Sequence, residues 1–241
     1  MKSKSFHDKP LDAMNSVAAC AHQTGSSGSF GLYLVLLAAF AMAGCSGLPD
    51  KPTRALMYDF GPGALSTQPA TRQAPLPPLA IDDISTSGGA LDNMSVLYRL
   101  AYADAQQLRP YSQARWSMPP AQLVRQRLRD QLSQRRAVFN AGEGLALNRS
   151  QNPVLPLLLR LELQEFSHVF TAVDTSVGLV RMRVTLVQVT PAGERLIGQR
   201  SIVVQRPAPS ADAPGGVRAL TLATDAAIEE IDQWLQQAPV R

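Results

Sequence analysis

Apolar and polar positions alternate with a period of two over three neighbouring stretches in the second half of the chain. Val154 to Phe170 carries Leu157, Leu159, Leu161 and Leu163 on one side and Arg160, Glu162 and Gln164 on the other. Val177 to Thr190 sets Val180, Met182, Val184 and Leu186 against Arg181, Arg183 and Thr185. Arg195 to Gln205 puts Leu196, Ile202 and Val204 on one side, and Pro191-Ala192-Gly193 between the last two reads as a turn. Successive strand side chains point to opposite faces, so this pattern predicts an antiparallel sheet with one wet face. Shorter strands are predicted at Ala55–Phe60, Leu79–Ser85, Ser95–Tyr102 and Ala137–Phe139, and Gln106–Ser117 reads as a polar link.

Two stretches change period to that of a helix. Pro119-Pro120 opens the first, which suits a helix start because the missing N–H has no intrahelical partner there. Leu123, Val124, Leu128 and Leu132 then form an apolar stripe through about Gln134. The second runs from Val217 to Gln237 with Val217, Leu220, Ala227, Ile228, Ile231, Trp234 and Leu235 on one face, after a Pro-, Ala- and Gly-rich loop from Pro207 to Gly216. The expected architecture is α+β: a single domain, residues 55–237, whose mainly antiparallel sheet carries two principal helices on one face.

The first 44 residues follow neither pattern. Lys2, Lys4 and Lys9 precede a polar stretch and then the apolar run Gly31 to Ala43. That run is shorter than the roughly 20 residues that span a bilayer and reads as an export signal. It ends in Met42-Ala43-Gly44-Cys45, small residues before a cysteine, as a lipoprotein signal peptidase requires. The sequence predicts cleavage before Cys45, lipid on that cysteine and a tether over residues 45–54; Met1 and Met14 are both candidate starts. Two or three acyl chains, palmitate among them, would make anchoring effectively permanent, since each buried methylene contributes about 0.8 kcal/mol. Ser46 follows where an Asp would favour inner-membrane retention, which points to the periplasmic face of the outer membrane.

Composition narrows the chemistry. The chain has 241 residues, 45% hydrophobic and 17% charged, with a formal charge of +4, too mild by itself to indicate nucleic acid. Cys20 lies in the leader, so the processed chain has no disulfide. His168 is the only histidine after residue 44, and reads as a packing or surface residue rather than a base. The sequence contains no H-E-x-x-H, paired C-x-x-C, G-x-S-x-G or Walker A motif, so no catalytic residue, metal ligand or cofactor is expected. Glu162 and Glu165 fall on opposite faces of a regular strand and would converge only across a bulge. Arg125, Arg127, Arg129, Arg135 and Arg136 form either a solvated helix face or a patch for anionic headgroups or an acidic partner. Tyr58, Phe60, Tyr98, Tyr102, Tyr111 and Trp116 are core residues or the wall of a groove.

Several short motifs occur in a telling order. The lipobox and proline-bearing tether lead into Tyr58-Asp59-Phe60, then Val96-Leu97-Tyr98-Arg99, then Trp116 to Pro120 at the helix start, and the chain closes on a helix ending near Trp234-Leu235. In this order the chain resembles the ABC-type transport auxiliary lipoproteins, the PqiC-like family. The resemblance implies a non-enzymatic outer-membrane lipoprotein of an MCE-type lipid-transport system, docking or receiving the periplasmic component. Its implied partners are an MCE-domain protein and the associated ABC permease and ATPase, with phospholipid and a second copy of the chain as further candidates. Cys45 carries the lipid; Tyr58, Phe60, Trp116, Pro119 and Pro120 map as structural motif positions. The alternatives are a periplasmic lipoprotein that holds a hydrophobic ligand between sheet and helix, or one that activates a cell-wall enzyme.

Overall fold

The computed structural model describes residues 54–63, 76–143, 156–190 and 192–238. Cys45, the leader and the start of the tether lie outside them. The elements in chain order are β1 (Leu56–Tyr58), β2 (Leu79–Ile81), β3 (Ser85–Thr86), a 3-10 turn (Gly89–Leu91), β4 (Ser95–Leu100), β5 (Asp104–Trp116), α1 (Pro120–Leu132), β6 (Val138–Asn140), β7 (Leu157–Phe170), β8 (Ser176–Thr190), β9 (Gly193–Pro207) and α2 (Ala213–Gln237).

All nine strands join one mixed α+β sheet organised around β7. On one edge β7 pairs antiparallel with β8, which pairs antiparallel with β9. On its other edge β2, β3 and β4 follow one another, each parallel to β7, at Leu157–Leu159, Glu162–Leu163 and His168–Phe170. They act as one interrupted strand running beside a continuous one. Beyond them, β6 lies parallel to β2, and β5 lies antiparallel to β4 with β1 parallel to β5 at the far edge. The antiparallel expectation thus holds for the long ladders, whereas the short strands add parallel pairings.

Both helices cover the same face. Leu123, Val124, Leu128 and Leu132 of α1 share one buried cluster with Leu220, Ala227, Ile228 and Ile231 of α2 and with Leu159, Leu161, Leu163, Val180, Met182, Val184 and Leu186 of the sheet. Each fully buried Leu or Ile contributes about 1.5–3 kcal/mol by leaving water. The helix backbone approaches the sheet most closely at Gly178, where an added Cβ would lie 2.5 Å from the main chain of Ala219 and Leu220. The opposite face carries ion pairs, Arg183 with Glu162 and Arg160 with Asp82 and Glu194.

Two irregularities reset the alternation read from sequence. A bulge between Leu163 and Glu165 turns the inward parity from odd to even, so Phe166, His168 and Phe170 face the helices. Glu162 and Glu165 consequently share the outer face; each is taken by an arginine, Glu162 by Arg183 and Glu165 by Arg99. A second register shift opposite Leu186 and Val187 leaves Ile197 extra, and Leu196 is 63% exposed rather than inside with Ile202 and Val204.

Residues 104–116 are a strand, not a link. The period-two signal is weak there because β5 is exposed along most of its length, carries Pro110, and buries only Ala114 and Trp116 near its end. The last helix begins at Ala213, four residues before the expected Val217. Asp212 caps it by accepting from the Gly215 N–H at 2.7 Å, and Pro214 occupies the first turn.

Candidate functional site

The aromatic residues divide into two internal clusters instead of one groove. Phe60 lies just past β1, and its ring meets Trp116 edge-on at 5.7 Å and Phe166 at 6.1 Å. Trp116 is fully buried at the end of β5, and the chain then turns through Ser117 and Met118 to Pro119. Pro119 occupies the N-cap of α1 and Pro120 its first helical position. Tyr58 is half-buried on β1 and accepts from the Ser117 N–H at 2.7 Å, which ties β1 to the turn that launches α1. Tyr102 is 48% exposed and joins neither cluster.

The second cluster surrounds His168. The bulge in β7 turns this ring inward, where it is fully buried between Phe170, at 4.4 Å, and the first turn of α2. Its Nδ1 shares a 2.8 Å hydrogen bond with the Tyr111 hydroxyl of β5. A side chain at Gly216 would collide with the imidazole, its Cβ only 2.4 Å from Nδ1, so glycine is required where helix and histidine meet. Burial holds the imidazole neutral, with its pKa lowered to about 4, and the Asp212 carboxylate only partly opposes this. Burial, with the neighbouring Tyr98 and Asp212, likewise pushes the Tyr111 phenol up. The pair ties β5 and β7 to the start of α2, and Tyr98 of β4 packs on the Tyr111 ring at 4.5 Å.

The arginines in and just after α1 do not form one patch. Arg127 makes a bidentate pair with Asp225 of α2, at 2.7 and 2.9 Å, which raises its pKa further. Arg136, its side chain 5% exposed, reaches Asp232 of α2 at 2.6 Å; burial lowers its pKa against that attraction. Gln131 donates to Glu229 between them. These contacts rise together along both helices, so α1 and α2 run in the same direction, zipped at their shared edge. Arg135 contributes its carbonyl, which accepts from the Leu76 N–H at 2.9 Å.

Arg125 and Arg129 face elsewhere. Both donate to the side-chain oxygen of Asn140 on β6, at 2.9 and 2.7 Å, and Arg125 also lies 3.4 Å from Asp83. They form one wall of an open groove of about 710 Å³ between α1 and the β3 segment, with Ile84, Leu91 and Ala121 also lining it. Such a groove can accept an extended segment and an acidic group. The hydroxyls that line it are engaged within the fold, Ser85 donating to the Leu161 carbonyl and Thr86 to Asp92, and among the described residues no three groups gather as metal ligands.

Sequence reasoning found the arginines but not their partners. The signal was present: Asp225, Glu229 and Asp232 recur at spacings of four and three on the last helix, a continuous acidic stripe facing the α1 cations. Asp83, in the link between β2 and β3, and Asn140, on β6, by contrast come from separate parts of the chain, and no local pattern links them to α1.

The comparisons with other proteins agree with this architecture. The family model for the ABC-type transport auxiliary lipoprotein component matches residues 58–232. The crystal structure of a DUF330 protein from Xanthomonas campestris is similar, with a TM-score of 0.57 and 16% identity over 75% of this chain and 94% of that one. A second crystal structure, of an uncharacterized protein, has a TM-score of 0.53 at 11% identity, covering 76% and 99% of the two chains. At these identities the two structures establish the fold. No curated protein matches the sequence.

Proposed function

The chain belongs to the ABC-type transport auxiliary lipoprotein family, and on that premise we propose that it is the non-enzymatic outer-membrane component of an MCE-type lipid-transport system. In this reading lipid on Cys45 holds the domain at the periplasmic face of the outer membrane. There it docks or receives the MCE-domain protein that an inner-membrane ABC permease and ATPase drive. The observation that carries the reading is the family match over residues 58–232 downstream of a lipobox cysteine.

Physical arguments support each part. Moving a lipid through water exposes its acyl chains, so the path must be covered from one membrane to the other. A subunit fixed at the far membrane needs a stable surface rather than an active site. The described domain has such surfaces; its histidine is buried, and Glu162 and Glu165 are taken up in ion pairs. ATP hydrolysis falls to another subunit, because this sequence has no phosphate-binding loop. A ligand held between sheet and helix is disfavoured by the filling of that interface, where Leu159, Leu163, Val184, Leu220, Ala227 and Ile228 are all fully buried.

Affinity isolation of the lipidated protein from crosslinked membranes tests the proposal. The expected result is recovery of an MCE-domain protein and its ABC subunits, lost in Cys45→Ser. Recovery of cell-wall synthases in their place would overturn it.

A further inference from the structure

The β1 edge presents apolar side chains that nothing among the described residues covers. Leu56 and Met57 are 61% and 63% exposed, although successive strand residues point to opposite faces. Neither face of the sheet therefore shelters these two residues, whereas Tyr58 at the end of the strand packs against the core. β1 pairs only with β5, so its other edge is open among the described residues. Met94, a third exposed apolar residue, lies close by: its carbonyl accepts from the Trp116 N–H, and Trp116 is the β5 partner of Tyr58. Arg54 precedes the strand and is exposed. Asp59, just past the strand, accepts from the Gly61 N–H.

An exposed apolar edge strand invites unwanted pairing, and soluble domains avoid it unless something covers it. The position of this edge in the chain identifies the cover. Leu56 lies eleven residues after Cys45, and a fully extended segment of that length reaches at most about 40 Å. A lipid on Cys45 therefore keeps β1 within one tether length of the bilayer surface. Apolar side chains flanked by an arginine suit that interface, the hydrocarbon entering the acyl boundary and the guanidinium meeting phosphates.

We infer that the β1 edge, Leu56 and Met57 with Arg54 beside them, is a membrane-contacting surface that seats the domain against the lipid bilayer. The inference rests on the reading of Cys45 as the anchored residue. It adds a second, non-covalent attachment, which fixes the orientation of the domain as the tether alone cannot.

Acylation leaves the processed chain without a free thiol, since Cys20 lies in the leader. Met57→Cys and Leu56→Cys therefore each provide a unique site for an environment-sensitive fluorophore. Val203→Cys on β9, 52% exposed, is the control. The full lipidated proteins are reconstituted into phosphatidylethanolamine–phosphatidylglycerol vesicles, with and without lipids bearing a shallow quencher. The expected result is blue-shifted emission and about twofold quenching at 56 and 57, with neither at 203. Labels at 56 and 57 that emit as in water, like the control, would overturn the inference. So would self-quenching that grows with protein density without lipid quenching, because a second copy would then be the cover. Protein that fails to float with the vesicles defeats the anchoring reading itself, and this inference with it.

Discussion

At the scale of single residues, the buried polar groups are the informative ones. His168 is neutral in the fold because burial lowers its pKa to about 4, against about 6.5 in the unfolded chain. Below pH 6.5 the unfolded chain takes up a proton that the folded one refuses. Stability from this site is therefore complete above that pH and declines as pH falls towards 4, by about 3 kcal/mol in all. Urea unfolding at pH 7 and pH 4.5 should show that loss, and His168→Gln should remove most of it; an unchanged pH slope in the variant would contradict the assignment. Arg136 poses the converse problem, a cation held inside by one carboxylate. Asp232→Ala should cost about 3 kcal/mol, because the guanidinium would remain buried and unpaired. The companion change Arg136→Met should cost less, as measured by chemical denaturation. The fate of His168 was half legible in the sequence: a lone histidine reads as packing, but only the bulge in β7 turns it inward.

Among the elements, the contact between α2 and the sheet sets the tolerance of the fold. Gly178 lets the main chain at Ala219 and Leu220 lie directly on β8. Gly178→Ala must displace backbone and should lower stability by about 2 kcal/mol or more, as overpacking does. Gly88→Ala, with open space around it, should have little effect; comparable urea midpoints for the two variants would refute this account of the packing. Elements with strong periodicity were legible in advance, β7, β8 and both helices above all. The alternation of Val180, Met182, Val184 and Leu186 places the core face of β8 residue by residue. What escaped was either weakly patterned or non-local. β5 reads as a link because most of it is wet on both faces. The bulges at Gln164 and Ile197 insert one residue without a compositional mark, and each reverses the faces beyond it. The parallel placement of β2, β3 and β4 along β7 is a tertiary arrangement that short runs of sequence do not encode.

For the whole molecule, the architecture and the family match cover nearly the same residues. The family match begins at Tyr58, two residues into β1, and ends at Asp232, the α2 residue that pairs with Arg136, so it spans the packed domain almost from end to end. Its structural centre is a filled core, with a groove beside α1 and an apolar edge at β1 left on the surface. The groove was only half legible in advance: Arg125 and Arg129 stood out, whereas the β3 segment opposite them did not. The family was readable chiefly from the order of motifs. The account depends most on Cys45, since the membrane address, the docking role and the use of the β1 edge all follow from lipid there. Intact-mass measurement of the protein extracted from its native membranes tests this most directly. The account predicts a chain beginning at Cys45 and carrying a diacylglyceryl group, with or without an added N-terminal acyl chain. A chain that retains its leader, or one that begins near residue 45 with an unmodified thiol, would contradict it.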